Sequence, residues 1–78
     1  EVEYFIIKDN NSLTSLNGLN NFLTCNGGIQ IQGNPNLTDF CNLQNFASNG
    51  TYNSVNVDIN TNSYNPTIQN IIDGNCSN

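Results

Sequence analysis

The 78-residue chain has no histidine and no arginine, and Lys8 is its sole basic side chain. Without an imidazole, neither a Ser-His-Asp nor a Cys-His nucleophilic arrangement can be assembled. Zinc sites of the usual Cys/His spacing are excluded for the same reason. The lack of cations argues against a nucleic-acid or anionic-membrane surface, because phosphate contacts depend on Lys and Arg. Glu1, Glu3, Asp9, Asp39, Asp58 and Asp73 stand against Lys8 and leave a formal net charge of −5. No stretch approaches the roughly 20 apolar residues of a spanning helix, so no membrane span is expected. No signal-peptide pattern is visible, and the chain is expected to be a mature product or an excised fragment.

What the chain has in excess is asparagine, 19 of its 78 residues. Such a bias can mark a disordered or prion-like tract. Here regularly placed Leu, Ile and Phe residues supply a repeated apolar surface, and the amides read as belonging to turns. The organising stretch is Ile29 to Phe46. It opens with strand-like alternation at Ile29 and Ile31 and turns at Gly33-Asn34-Pro35. It then runs apolar every third residue at Leu37, Phe40, Leu43 and Phe46. An offset of 24 positions brings back the same pattern: Phe5, Ile7, Asn10, Leu13, Leu16, Leu19 and Phe22. Agreement in chemical type at one fixed offset is the mark of an internal repeat. A unit this short cannot bury its own apolar side and is stabilised by stacking on neighbours.

Alternation directs Phe5, Ile7, Ile29 and Ile31 inward. The every-third-residue return suits a tight, 3₁₀-like path better than a long α-helix, on which the apolar stripe would drift. Asn10 and Asn34 fall at the strand ends, where an amide can pair with turn backbone and pass that bonding along a ladder. Residues 1–8 read as an edge strand with Tyr4, Ile6 and Lys8 outward, matching Gly28, Gln30 and Gln32. An exposed apolar edge of this kind invites pairing with another chain. The alternative is an edge left by removal of a preceding coil. Asn17-Gly18 and Asn26-Gly27-Gly28 are turn signals. Ala47 to Asn53 reads as a polar insertion. Val55, Val57 and Ile59 then alternate with Asn56, Asp58 and Asn60 as a third strand, at an offset of 28 from Ile29 and Ile31, with Asn62 in the position of Asn34. Asn65-Pro66 fits a helix start, Ile68, Ile71 and Ile72 share one helical face, and Gly74 is a stop signal. This short helix is expected to lie across the open end of the last coil.

The segments NNSLTSLNGLNNF at 10–22 and IQIQGNPNLTDFCNL at 29–43 resemble leucine-rich repeats of the receptor L-domain-like type, found in extracellular and bacterial surface proteins. The tail YNPTIQNIIDGNC at 64–76 is similar to the C-terminal cap of such arrays. The resemblance covers nearly the whole chain but departs in having barely two regular coils and a cap. It is specific for architecture and weak for function, since such scaffolds carry many unrelated binding roles. The fold expected is mainly β, a short leucine-rich-repeat-like β-solenoid of about three coils with a short C-terminal capping helix. Its divisions are residues 1–24, 25–48 and 49–65 for the coils and 66–78 for the cap.

Cys25, Cys41 and Cys76 allow three pairings, and a disulfide is the default in a small secreted domain. Sequence alone does not select one; three reduced, buried thiols are the alternative. Cys41–Cys76 is favoured because it would tie the cap to the second coil, closing a loop worth about 3–4 kcal/mol on the chain-entropy model. The resemblance supports the same pairing. Cys25 then reads as a half-buried coil residue.

Paired carboxylates at Asp39 and Asp58 fall at turn or outward positions, where solvation explains them, and no enzyme is expected. Asp58-Ile59-Asn60-Thr61-Asn62 has oxygen donors at alternate positions, as calcium loops do. Ile59 is needed inward, however, and no bidentate Glu closes the loop, so strand and turn is the preferred reading. Sequons occur at Asn10, Asn36, Asn49 and Asn75. Asn36 and Asn49 are the plausible glycan carriers, and O-linked sugar on Ser or Thr is equally open. The remaining candidate is the outer sheet face: Tyr4, Ile6, Lys8, Gln30, Gln32, Asp58 and Asn60. A plain solvated face is the alternative. The function expected is non-enzymatic recognition or adhesion at a cell surface, by a secreted module forming the terminal part of a repeat array. Its partner would be a protein or carbohydrate, with no cofactor and no metal. The alternative is a structural subunit that self-assembles into an extracellular filament through its open N-terminal coil, its partners being further copies of itself.

Overall fold

Alternating apolar residues build the strands of the computed structural model, which describes residues 3–78. Glu1 and Val2, expected to open the first strand, lie outside the described residues. The strands are β1 (Tyr4–Lys8), β2 (Thr24–Cys25), β3 (Gly28–Gln32), β4 (Thr51–Tyr52) and β5 (Val57–Asn60). The helices are α1 (Gln44–Asn49) and α2 (Ile68–Ile72), with 3₁₀ turns at Cys41–Leu43 and Ser54–Asn56.

The three-coil β-solenoid expected from the sequence is corrected by this arrangement. Among the described residues the strands form one open three-stranded parallel sheet, ordered β1-β3-β5, and a separate two-stranded parallel sheet, β2-β4. Neither is closed or wound as a solenoid sheet, and with α1 and α2 the chain is a small mixed α/β domain. The reason lies in the returns between strands. Phe46 and Ala47 are buried side by side on α1, so Ala47 to Asn49 is helix and not the start of a polar insertion. Consecutive buried residues in a return segment call for helical backbone, which can turn two neighbours toward one core.

Parallel pairing sets β1 on β3 with Phe5 opposite Ile29 and Ile7 opposite Ile31, and β3 on β5 with Ile29 opposite Val57 and Ile31 opposite Ile59. These are the 24- and 28-residue offsets read from the sequence. The inner face of β3 is fully buried at Ile29 and Ile31 and meets Leu37, Phe40, Leu43, Phe46 and Ile71. Phe5 and Ile7 on β1, and Val57 and Ile59 on β5, are half-buried, because each lies on an edge strand. An aromatic row runs beside the sheets, with ring centroids 4.7 Å apart for Phe5–Phe22, 5.0 Å for Phe22–Phe46 and 4.6 Å for Phe46–Tyr52. Burial pushes the Tyr52 phenol above its ordinary value, and its hydroxyl donates to the Ala47 carbonyl.

Amides join the strand ends. The Asn10 N–H donates to Asn34 Oδ1 (3.0 Å), the Asn34 N–H to Asn62 Oδ1 (3.1 Å), and the Asn62 N–H to Asn65 Oδ1 (2.9 Å). The Nδ2 groups of Asn34 and Asn62 donate to the carbonyls of Ile7 and Ile31. Asn34 and Asn62 are buried, and their hydrogen bonds offset the cost of removing amides from water.

Three local readings change. Val55 is not an inward strand residue; it sits in a 3₁₀ turn, its N–H held by Asn53 Oδ1, and is 86% exposed. Asn65 is not the cap of the last helix. Thr67 caps α2 in a reciprocal box with Asn70, which releases Asn65 to end the amide row. Nor does α2 lie across the end of the sheet. It packs against α1, so β5 is a second edge strand, flanked by a groove of about 280 Å³ with Asn65, Pro66, Thr67 and Ile68. Gly74, at φ 88°, does end the helix as expected.

The Cys41–Cys76 disulfide is present, with a Cα separation of 4.9 Å. It is reinforced by an antiparallel bridge between Asp39 and Ser77 and by the Phe40 N–H on the Cys76 carbonyl (2.7 Å). Cys25 is free and buried, not half-buried; its thiol proton is shared between the carbonyls of Gly28 and Glu3, both within hydrogen-bond reach of Sγ.

Candidate recognition face

The outer face of β1-β3-β5 is laid out by register. Ile6, Gln30 and Asp58 form one row across the three strands, and Lys8, Gln32 and Asn60 form the next. Tyr4 lies opposite Gly28. The structure therefore brings all seven residues read as a face from the sequence onto neighbouring positions of one sheet. Tyr4 is 48% exposed and Ile6 55%. Lys8, Asp58 and Asn60 are exposed, while Gln30 and Gln32 are half-buried between the edge strands.

The polar side of this face is ordered internally. Gln32 Nε2 donates to Asp58 Oδ2 (2.7 Å), and Asn60 Nδ2 donates to the other oxygen of the same carboxylate. Thr61 Oγ1 donates in turn to Asn60 Oδ1. Among the described residues Asp58 is thus held by amides and not by a cation. Asn62, the last member of the calcium-like run, is committed to the amide row, and Ile59 faces the core. Among the described residues, no three acidic or cysteine side chains come together in a group that could hold a metal ion.

Gly28 makes a cleft possible at the other end of the face. A side chain there would collide with the Asn56 carbonyl oxygen and Cβ, so only glycine lets the 3₁₀ turn come down onto β3. Asn56 Nδ2 anchors that turn on the Gly27 carbonyl (3.1 Å). Tyr4, Gln30, Val55, Asn56, Val57 and Asp58 line the resulting cleft of about 320 Å³. Sequence reasoning missed Val55 as a member of the face because the alternation Val55-Val57-Ile59 assigns it inward. The signal that marks it is Asn53, a turn-capping residue two positions earlier.

The two glycan candidates lie elsewhere. Asn36 is exposed, and its Nδ2 donates to the Asn11 carbonyl (2.6 Å). Asn49 is exposed at the end of α1, with its Nδ2 on Asn45 Oδ1 (2.8 Å). Asp39, the other carboxylate singled out, accepts from the Cys41 N–H (2.9 Å) and serves the turn beside the disulfide.

No helix among the described residues is long and apolar enough to cross a membrane. No protein-family model, no curated protein and no solved structure matches the chain.

Proposed function

We propose that this chain is a non-enzymatic recognition module that works outside the cell, binding a protein or carbohydrate at a cell surface through the outer face of β1-β3-β5. The observation that carries the reading is the pair of exposed apolar side chains, Tyr4 and Ile6, beside a cleft furnished with Gln30, Asn56 and Asp58. An aromatic ring next to amide and carboxylate groups offers apolar contact and directional hydrogen bonds together, the combination that fixes a ligand's orientation. The disulfide supports an oxidising compartment.

The test is saturable binding of labelled protein to intact cells that display surface protein and glycan. Tyr4→Ala and Ile6→Lys should each abolish binding while circular dichroism stays that of the wild type. Saturable binding that survives both substitutions would place the interaction elsewhere, and absence of saturable binding on any cell surface would sink the reading.

A second reading is favoured by one asymmetry. The amide row is terminated by Asn65 beyond β5, yet ends at the exposed Asn10 beside β1. The two sides of the sheet differ, so contact between copies through β1 would be heterologous, and such contacts extend into filaments when they do not close. Net charge of −5 opposes association, and salt should promote it by screening. Negative-stain microscopy over a salt series separates the readings: long particles lost on Ile6→Lys support self-assembly, and particles at no salt concentration exclude it.

A further inference from the structure

Three Asn-Gly pairs occur, at Asn17-Gly18, Asn26-Gly27 and Asn49-Gly50. An Asn-Gly pair can react with itself. The glycine backbone nitrogen attacks the asparagine Cγ, forming a C–N bond, while the bond from Cγ to Nδ2 breaks. Ammonia leaves, carrying the proton from the glycine N–H, and a five-membered succinimide remains. Solvent water then opens the ring at either carbonyl, giving aspartate or isoaspartate. The reaction requires that the glycine N–H be free and that the backbone be able to turn its nitrogen toward the side chain.

The fold treats the three pairs differently. The Gly27 N–H donates to the Glu3 carbonyl (2.6 Å), and Gly27 is buried. The Gly50 N–H donates to the Phe46 carbonyl (2.7 Å), and the glycine is wedged so tightly that a Cβ would stand 2.5 Å from the Phe46 oxygen and 2.8 Å from the Leu23 oxygen. The Asn49 side chain is also engaged, on Asn45. Gly18 has none of these restraints. Its N–H makes no hydrogen bond among the described residues, and no heavy atom of those residues other than Asn17, Gly18 and Leu19 themselves lies within 4 Å of where a Cβ would stand. It occupies a turn at φ 95°, closed by the Leu19 N–H on the Leu16 carbonyl at 3.3 Å, with Asn17 exposed beside it.

We infer that Asn17-Gly18 is a built-in site of spontaneous deamidation and isomerisation, and that folding shields the two other Asn-Gly pairs from the same chemistry. The product carries one more negative charge on a chain already at −5. In its isoaspartyl form the backbone is one atom longer within the turn that joins buried Leu16 to Leu19, so the modification reaches the core through Leu16. The site is a clock for the age of the molecule, independent of any ligand.

The experiment is incubation of the intact, disulfide-bonded protein in mildly alkaline buffer, followed by peptide mapping with mass spectrometry and isoaspartate detection. In the folded protein, conversion at Asn17 should run about tenfold or more ahead of Asn26 and Asn49, whose glycines react only from locally opened states. In the reduced, denaturant-unfolded chain the three rates should converge. Asn17→Gln, which cannot form the five-membered ring, should abolish conversion at that position in both states. Folded-state conversion of Asn26 or Asn49 at the rate of Asn17 overturns the inference. So does an Asn17 that converts in the unfolded chain and is protected in the folded one.

Discussion

Asn34 shows how a polar residue comes to hold a core. Its side chain is fully buried, accepts from the Asn10 N–H and donates to the Ile7 carbonyl and to Asn62 Oδ1. Asn34→Ala removes the acceptor of the Asn10 N–H and the side-chain donor to the Ile7 carbonyl, and should cost about 2–3 kcal/mol in chemical denaturation. Leu37→Ala empties a fully buried site next to it and should cost about 2–5 kcal/mol. Gln30→Ala on the outer face should stay within about 0.5 kcal/mol. Equal effects at positions 30 and 34 would mean that the amide row contributes nothing to stability. At this scale the inward positions Phe5, Ile7, Ile29 and Ile31 were legible, since a period of two leaves no choice of face. Val55 was not legible. It shares the alternation of Val57 and Ile59, but Asn53 captures its N–H and takes it out of the strand.

Between residues and fold stand two short helices, each too short to persist alone. Both are held by tertiary contact: α1 through Phe46 and Ala47, α2 through Ile71, and each against the other. Their ends are where the sequence misleads. Asn65-Pro66 has the form of a helix start, yet Asn65 is drawn to Asn62 and the cap passes to Thr67. The two roles separate by mutation. Thr67→Ala should cost about 1 kcal/mol and accelerate amide exchange at Asn70 and Ile71. Asn65→Ala should leave those amides protected and accelerate exchange at Asn62, whose N–H it now receives. If Asn65→Ala instead exposes Asn70 and Ile71, Asn65 is the working cap.

For the whole molecule the disulfide is the dominant constraint. A domain of this size has a stability on the order of 4–12 kcal/mol. The Cys41–Cys76 bond closes a separation of 35 residues, worth about 3–4 kcal/mol in the chain-entropy model. Reduction should therefore lower the urea midpoint substantially, while Cys25, buried beneath β1, reacts with thiol reagents only as the chain unfolds. Identical midpoints for the oxidised and reduced forms would show that the C-terminal segment is held by its backbone pairing to Thr38–Phe40 alone.

The sequence by itself determined the strand faces, the register offsets of 24 and 28, and the amide positions at Asn10, Asn34 and Asn62, because each follows from a period or a turn that acts over a few residues. It also placed Tyr4, Ile6, Lys8, Gln30, Gln32, Asp58 and Asn60 on one face, since alternation within strands and equal offsets between them suffice. Tertiary structure alone decided the fold class, the Thr67 cap, the burial of Cys25 and the cleft beneath Val55. The fold class, the Cys25 site and the cleft depend on partners far apart in the chain; the cap is a competition among the near neighbours Asn62, Asn65, Thr67 and Asn70, decided once Asn62 is fixed by Asn34. Asn65 can cap a helix or end a row of amides. Phe46 and Ala47 can lie in a loop or turn a return segment into helix, and only packing against α2 and the sheet settles which is lower in free energy.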